Sequence, residues 1–186
     1  MQVVATAIPD VKIVRPHRHG DARGFFAETY NRRRFTEHGI AAEFVQDNHS
    51  HSVRAGTVRG LHFQLPPLAQ AKLVSVVVGA AFDVAVDLRT GSPTHGRHVA
   101  VMLTAESGEW LYIPAGFAHG YCTLEPDTDL VYKVTNYYSA AHDRGVAWDD
   151  PALAIPWPVK PGEATLSDKD KALPRLAGVG AIFAYP

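Results

Sequence analysis

An all-β barrel or sandwich is the architecture this sequence predicts, on three observations. Apolar and polar residues alternate over short runs, most clearly at 81–89, where Phe82, Val84, Val86 and Leu88 share one face and Asp83, Ala85 and Asp87 the other. Gly, Pro, Asp or Ser separates each run from the next. Helical patterning is confined to short stretches, which leaves many short strands at regular spacing as the dominant signal.

The elements follow in chain order. Residues 1–13 mix apolar side chains with Pro9 and Asp10, and residues 21–30 read as a turn followed by a strand that carries Arg23 and Glu28. Phe25 and Phe26 are adjacent, so on a strand they point to opposite faces; at least one is then available to a ligand or a partner rather than to its own sheet's core. Residues 31–38 form a short polar helix ending at Gly39, with Arg32, Arg33 and Arg34 largely solvated. Gln46-Asp47-Asn48-His49-Ser50 is a run of hydrogen-bonding side chains that serves either as a turn or as a site, because Gln and Asn amides can read the edge of a base.

A strand at 57–64 is broken by Pro66 and Pro67, and a second at 72–78 runs up to Gly79. Further strands are expected at 99–103, 110–113, 120–124 and 129–135. From Asp150 onward Pro151, Pro156, Pro158, Pro161 and Pro174 exclude continuous strand, and Trp157 is expected to pin this Pro-rich tail to the barrel. Ser167 is placed as a helix N-cap with Asp170 at the third helical position, and capping alone would account for Asp170.

Bulk properties narrow the function classes. The 186 residues, 46% of them hydrophobic, fit a single domain spanning 1–186 with an ample core. A net charge of -1 provides no global field for nucleic acid or an anionic membrane, so any anion must be caught locally. The one cysteine, Cys122, has no internal disulfide partner, and no leader or long apolar run stands out, so a cytoplasmic setting is expected.

Chemistry concentrates in Thr57-Val58-Arg59-Gly60-Leu61-His62-Phe63-Gln64. A cation, a glycine and an imidazole lie within four residues there. The interior glycine signals a bulge or a close backbone approach, and alternation puts His62 and Gln64 on one face. A lone histidine would ordinarily be a satisfied sheet residue. Two wider spacings argue for more. Gly56, five residues, His62, followed by Lys72, six residues, Gly79, resembles the first cupin motif. Gly108, five residues, Pro114-Ala115-Gly116, two residues, His119 resembles the second. The resemblance implies a cupin-type double-stranded β-helix, or jelly roll, with short peripheral helices.

In metal-binding cupins those positions hold three histidines and a glutamate; here they hold His62, Gln64, Lys72 and His119. An ammonium is a poor replacement for a carboxylate ligand, so no metal is expected. Beside a substrate carbonyl the same ammonium can stabilise the negative charge that develops when the adjacent carbon loses a proton. His62, with an ordinary pKa near neutrality, suits the base.

Seven segments together resemble the dTDP-4-dehydrorhamnose 3,5-epimerase family: Arg23-Gly24-Phe25-Phe26-x-Glu28, Gln46-Asp47-Asn48-His49-Ser50, Arg59-Gly60-Leu61-His62-Phe63-Gln64, Lys72-Leu73-Val74, residues 82–87, Ile113-Pro114-x-Gly116-Phe117-Ala118-His119-Gly120 and Tyr132-Lys133-x-Thr135-Asn136-Tyr137-Tyr138. The likeness runs from about the first strand to the Ser167 helix. It implies a dTDP-4-dehydro-6-deoxyhexose substrate and inversion at the carbons flanking its ketone, without metal or organic cofactor.

By position, the resemblance makes His62 the base, Asp170 its orienting carboxylate, Lys72 the enolate stabiliser with help from His119, and Tyr132 the group that moves a proton on the opposite sugar face. Arg23, Arg59 and Lys169 would hold the pyrophosphate; Glu28, Gln46 and Asn48 would contact the nucleotide; Tyr138 with Phe25 or Phe26 would stack on thymine. Asp143 stands where many members carry a substrate-contacting glutamate. A homodimer that exchanges N-terminal strands is also implied. Inversion at C3 alone, as in antibiotic-sugar relatives, stays open, as does ketoisomerisation. A cupin that merely senses a sugar nucleotide would need neither base nor acid.

Overall fold

The computed structural model describes residues 1–185. Its elements in chain order are β1 (Gln2–Ala5), β2 (Lys12–Arg15), β3 (Arg18–Asp21), β4 (Gly24–Ala27), α1 (Arg32–Glu37), β5 (Gln46–Ser52), β6 (Val58–Gln64), β7 (Lys72–Val78), β8 (Ala80–Asp87), β9 (Arg89–Thr90), β10 (His98–Thr104), β11 (Trp110–Ile113), β12 (Phe117–Thr123), β13 (Thr128–Val134), β14 (Asp143–Gly145), α2 (Asp168–Lys171) and β15 (Phe183–Ala184). A six-stranded sheet in the order β1-β2-β11-β7-β13-β5 faces a five-stranded sheet in the order β10-β8-β12-β6-β14. All pairings within these two sheets are antiparallel, as in a jelly roll.

Alternation explains the layers. Val74, Val76, Leu111, Ile113 and Leu130 from the first sheet meet Ala81, Ala85, Val99, Leu103, Phe117 and Tyr121 from the second in the core between them. The opposite faces are covered as well. Leu61, Phe63, Val84, Val86 and Ala118 pack outward against Leu153, Ile155, Trp157, Val179 and Phe183 of the C-terminal segment. Leu73, Val14 and Trp110 pack outward against Phe35 of α1 and Ile40. Strands buried on both faces explain why β12 is buried along its whole length.

The C-terminal segment wraps the second sheet rather than extending it. Trp157 lies edge-on to both Phe82 and Trp148 and donates its indole N–H to the Trp148 carbonyl, 2.7 Å away. Thr165 bridges to Thr57, and Ser167 caps α2 by accepting the Asp170 N–H. The chain then closes the far end of the barrel, where β15 runs parallel to β9. A buried ionic cluster lies beneath it. Arg89 is held by both oxygens of Asp87 and by Asp10, and its guanidinium lies over the rings of Phe117 and Tyr185.

One expectation needs correcting. Residues 46–50 are not a turn but the first part of β5, the edge strand paired with β13. Its lack of apolar residues reflects that edge position: only one side of the strand is paired, and alternate residues face water. The segment around Arg23 is, as expected, a turn leading into a strand; it forms a free-standing hairpin of β3 and β4, paired only with each other. Phe25 and Phe26 are 61% and 72% exposed, so neither is in a core.

Candidate active site

The cavity opens between the two sheets. One lobe of about 450 Å³ is lined by Arg59, His62, Lys72, His119, Tyr121, Tyr132, Lys169 and Asp170, among others. A second, of about 360 Å³, adds Gln46, Asn48, Gln64, Tyr138 and Asp143 and shares His62, Lys72, Tyr132 and Lys169 with the first. Lys169 forms an ion pair with Asp143 at the mouth, and the Tyr138 hydroxyl donates to the same carboxylate.

Strand phase delivers these side chains. Lys72 shares the inward face of β7 with Val74 and Val76, Tyr132 that of β13 with Leu130, and His119 that of β12 with Phe117 and Tyr121. Strand β6 needs an irregularity to contribute twice. Tyr121 pairs with Arg59 and His119 with His62, so two steps on β12 span three on β6. This bulge turns both Arg59 and His62 inward, where strict alternation would send them to opposite faces. Gly60 makes it possible: its φ is 111°, and a Cβ there would lie 2.6 Å from the His119 carbonyl oxygen. The bulge and the close approach expected of this glycine are both present.

His62 Nε2 lies 2.6 Å from Oδ1 of Asp170, a carboxylate 108 residues further along the chain. The pair is anchored from the tail side by α2, whose cap leaves the Asp170 carboxylate free to face the barrel. Burial, the largest influence on Asp170, opposes its ionisation. The hydrogen bond and charge of His62, with the Ser167 hydroxyl and the Gly60 amide, outweigh it and hold the carboxyl below its ordinary range. Lys72 is buried and donates to the His62 carbonyl at 3.3 Å. Loss of solvent lowers its pKa to about 8, despite the opposing charges of Asp143 and Asp83. Burial also raises the Tyr132 phenol, which therefore keeps its proton at neutral pH.

His119 has a partner that the sequence did not single out. Its Nε2 lies 3.0 and 2.9 Å from the two oxygens of Asp83, which is fully buried. The available signal was a carboxylate between Ala81 and Ala85 on the inward face of a strand whose other residues from Ala80 to Val86 are apolar. Metal ligation does not suit this donor set, because Asp170 and Asp83 already engage the two histidines and the remaining inward group is an ammonium. No cluster of three or more His, Cys, Asp or Glu fit to hold an ion occurs among the described residues.

Of the residues expected at the site, His62, Lys72, His119, Tyr132, Asp170, Arg59, Gln46, Asn48, Tyr138, Asp143 and Lys169 converge on the two lobes. Arg23, Phe26 and Glu28 do not. Arg23 pairs with Asp21, and Glu28 with Asn31 and Arg34, all on the exposed N-terminal arm. Gln46 is partly committed as well: it donates to Asn48 at 2.8 Å and accepts the Tyr138 N–H at 3.0 Å.

A sequence profile of the dTDP-4-dehydrorhamnose 3,5-epimerase family matches residues 5–178. The chain belongs to this family. It is 50% identical over 185 residues to the dTDP-4-dehydrorhamnose 3,5-epimerase of Sinorhizobium fredii, covering 100% of this chain and 94% of that one. The Legionella pneumophila dTDP-6-deoxy-D-glucose-3,5-epimerase, crystallised with dTDP-4-keto-L-rhamnose, superposes with a TM-score of 0.94 at 43% identity, covering 100% of this chain and 98% of that one. A 3'-monoepimerase from Streptomyces bikiniensis, in complex with dTDP-quinovose, gives a TM-score of 0.89 at 34% identity, covering 97% and 92%. Like other family members, the chain is an isomerase of nucleotide sugars with a cupin-type fold.

Proposed function

We propose that this chain, as a single domain, inverts C3 and C5 of dTDP-4-dehydro-6-deoxy-D-glucose to give dTDP-4-dehydro-L-rhamnose. The observation that carries the reading is that His62 and Tyr132 line one cavity from opposite sheets. Inversion next to a ketone requires a proton to leave one face of the carbon and another to arrive on the opposite face. Asp170 holds Nε2–H of His62, so the Nδ1 lone pair is the base. Lys72 supports the enolate oxygen as the C–H bond breaks. Tyr132, protonated at neutral pH, supplies the proton from the far wall.

Arg59 and Lys169 are the cations within the cavity for the pyrophosphate, and Tyr138 is exposed at its rim to stack on thymine. Arg23, Phe26 and Glu28 join them in a homodimer, in which the hairpin of one protomer reaches the cavity of its partner. Its isolation from the barrel sheets and its two exposed phenylalanines support that arrangement. A cytoplasmic setting is in keeping with the free, buried Cys122. No helix among the described residues is long and apolar enough to cross a membrane.

The similarity to a 3'-monoepimerase supports a second reading, inversion at C3 alone. Incubation with dTDP-4-dehydro-6-deoxy-D-glucose in deuterated water, followed by NMR of the sugar, separates the two. Label at both C3 and C5 is expected; label at C3 alone favours the monoepimerase, and no label overturns both.

A further inference from the structure

We infer that Asp83 is a positioning residue that turns His119 so that its Nδ1 lone pair, not an N–H, meets the sugar. His119 is then the acceptor of a hydrogen bond from a substrate hydroxyl instead of a second donor to the enolate oxygen. The inference rests on the epimerase reading above and revises the role that the family resemblance implies for His119.

The geometry starts from strand register. Asp83 on β8 pairs with Tyr121 on β12, two residues along from His119, so all three project into the space between the sheets. Both Asp83 oxygens lie within 3.0 Å of Nε2, and an ionised carboxylate only accepts, so the Nε2 proton points at Asp83. Nδ1 makes no hydrogen bond among the described residues, yet no buried side-chain nitrogen or oxygen there lacks a partner. Nδ1 is therefore the ring nitrogen with access to the cavity that His119 lines.

Charge decides what Nδ1 carries. Burial lowers the His119 pKa, Asp83 raises it, and the neighbouring Lys72 ammonium lowers it again, with a net downward shift. Asp83 and Lys72 already balance one another, and a protonated His119 would leave an uncompensated cation beside Lys72. A neutral ring with its proton on Nε2 has a lone pair at Nδ1. A lone pair repels a developing enolate oxygen and accepts from a hydroxyl. Stabilising the oxyanion is thus left to Lys72, and orienting the sugar ring falls to His119.

The test combines spectroscopy with kinetics. In the substrate-free protein labelled with ¹⁵N-histidine, two-bond ¹H–¹⁵N correlations report each ring's tautomer, and the His119 signals are those that vanish in His119→Gln. A neutral ring protonated at Nε2 is expected; protonation of Nδ1 at neutral pH would overturn the inference. Loss of one substrate hydrogen bond should raise KM for dTDP-4-dehydro-6-deoxy-D-glucose roughly ten-fold in His119→Ala and in Asp83→Asn, with kcat changed less than about three-fold. Inhibition by dTDP, which lacks the sugar, should be unchanged.

Asp83→Asn should add nothing in a His119→Ala background, because Asp83 acts through His119. A fall in kcat of roughly a hundred-fold at constant KM would return His119 to the enolate and sink the proposal. Loss of deuterium uptake at one carbon alone would make His119 a base and do the same. If Asp83→Asn fails to fold, the parent spectrum and His119→Ala still decide. Absence of turnover in the parent protein would overturn the epimerase reading while the tautomer result stands, so the two failures are distinguishable.

Discussion

Tyr132 on β13 and His62 on β6 enter one cavity from opposite sheets, so a flat enolate between them is accessible to a different proton carrier on each face. Tyr132→Phe keeps the ring that packs on the inter-sheet core and removes only the hydroxyl. Fold and nucleotide binding should persist while the enolate is reprotonated from the side it came from. Deuterium exchange then outlasts inversion, by roughly 10²–10⁴-fold if the phenol is the acid. Inversion at parental rates in the variant would assign the acid elsewhere.

Lys72 should show itself twice. Lys72→Ala removes the oxyanion support and should lower kcat by roughly 10²–10³-fold. In the parent protein Lys72 loses its proton above about pH 8, so kcat should fall on the alkaline side. Stability moves the other way. Between that value and the ordinary lysine range the unfolded chain binds the proton and the folded chain does not, so this group makes folding more favourable as pH rises. A flat alkaline limb in kcat would argue against a charged Lys72 in the transition state.

Asp170 offers an acid-side test. Its folded pKa lies below the ordinary aspartate value, so its contribution to stability is present above that value and is lost as pH falls through the lowered one. Asp170→Asn should flatten this part of the acid unfolding curve and slow exchange at both C3 and C5, less severely than His62→Asn. Loss of folding at neutral pH instead would give Asp170 a structural role at the start of α2.

Exhaustive chelation should leave turnover unchanged, because an ammonium stands where a cupin ligand would be needed. Activity that depends on an added stoichiometric divalent ion would overturn that expectation.

Much of this was readable in the sequence because strands advertise themselves by a period of two. Phe82, Val84 and Val86 fall on one face of β8 as alternation requires, and Lys72–Val78 is a strand over the residues expected. Strand β5 escaped because an edge strand of hydrogen-bonding residues has no apolar face to betray it. The Asp83–His119 contact depends on the register between β8 and β12, which no single strand encodes. The joint inward turn of Arg59 and His62 depends on a bulge whose presence Gly60 signals but whose phase it does not. Arg23 and Glu28 were recognisable only through family resemblance, and alternation marked the Phe25–Phe26 pair without choosing between them, since within one chain these residues lie away from the cavity.

The segment that carries Asp170 lies outside the barrel, docked on the outward face of the five-stranded sheet by Trp157 and its neighbours. During synthesis His62 leaves the ribosome 108 residues ahead of Asp170, and every strand of both main sheets precedes α2. A nascent chain can therefore begin pairing these strands before Asp170 reaches the imidazole. The His62–Asp170 pair is completed only after every strand of the two main sheets has been synthesised.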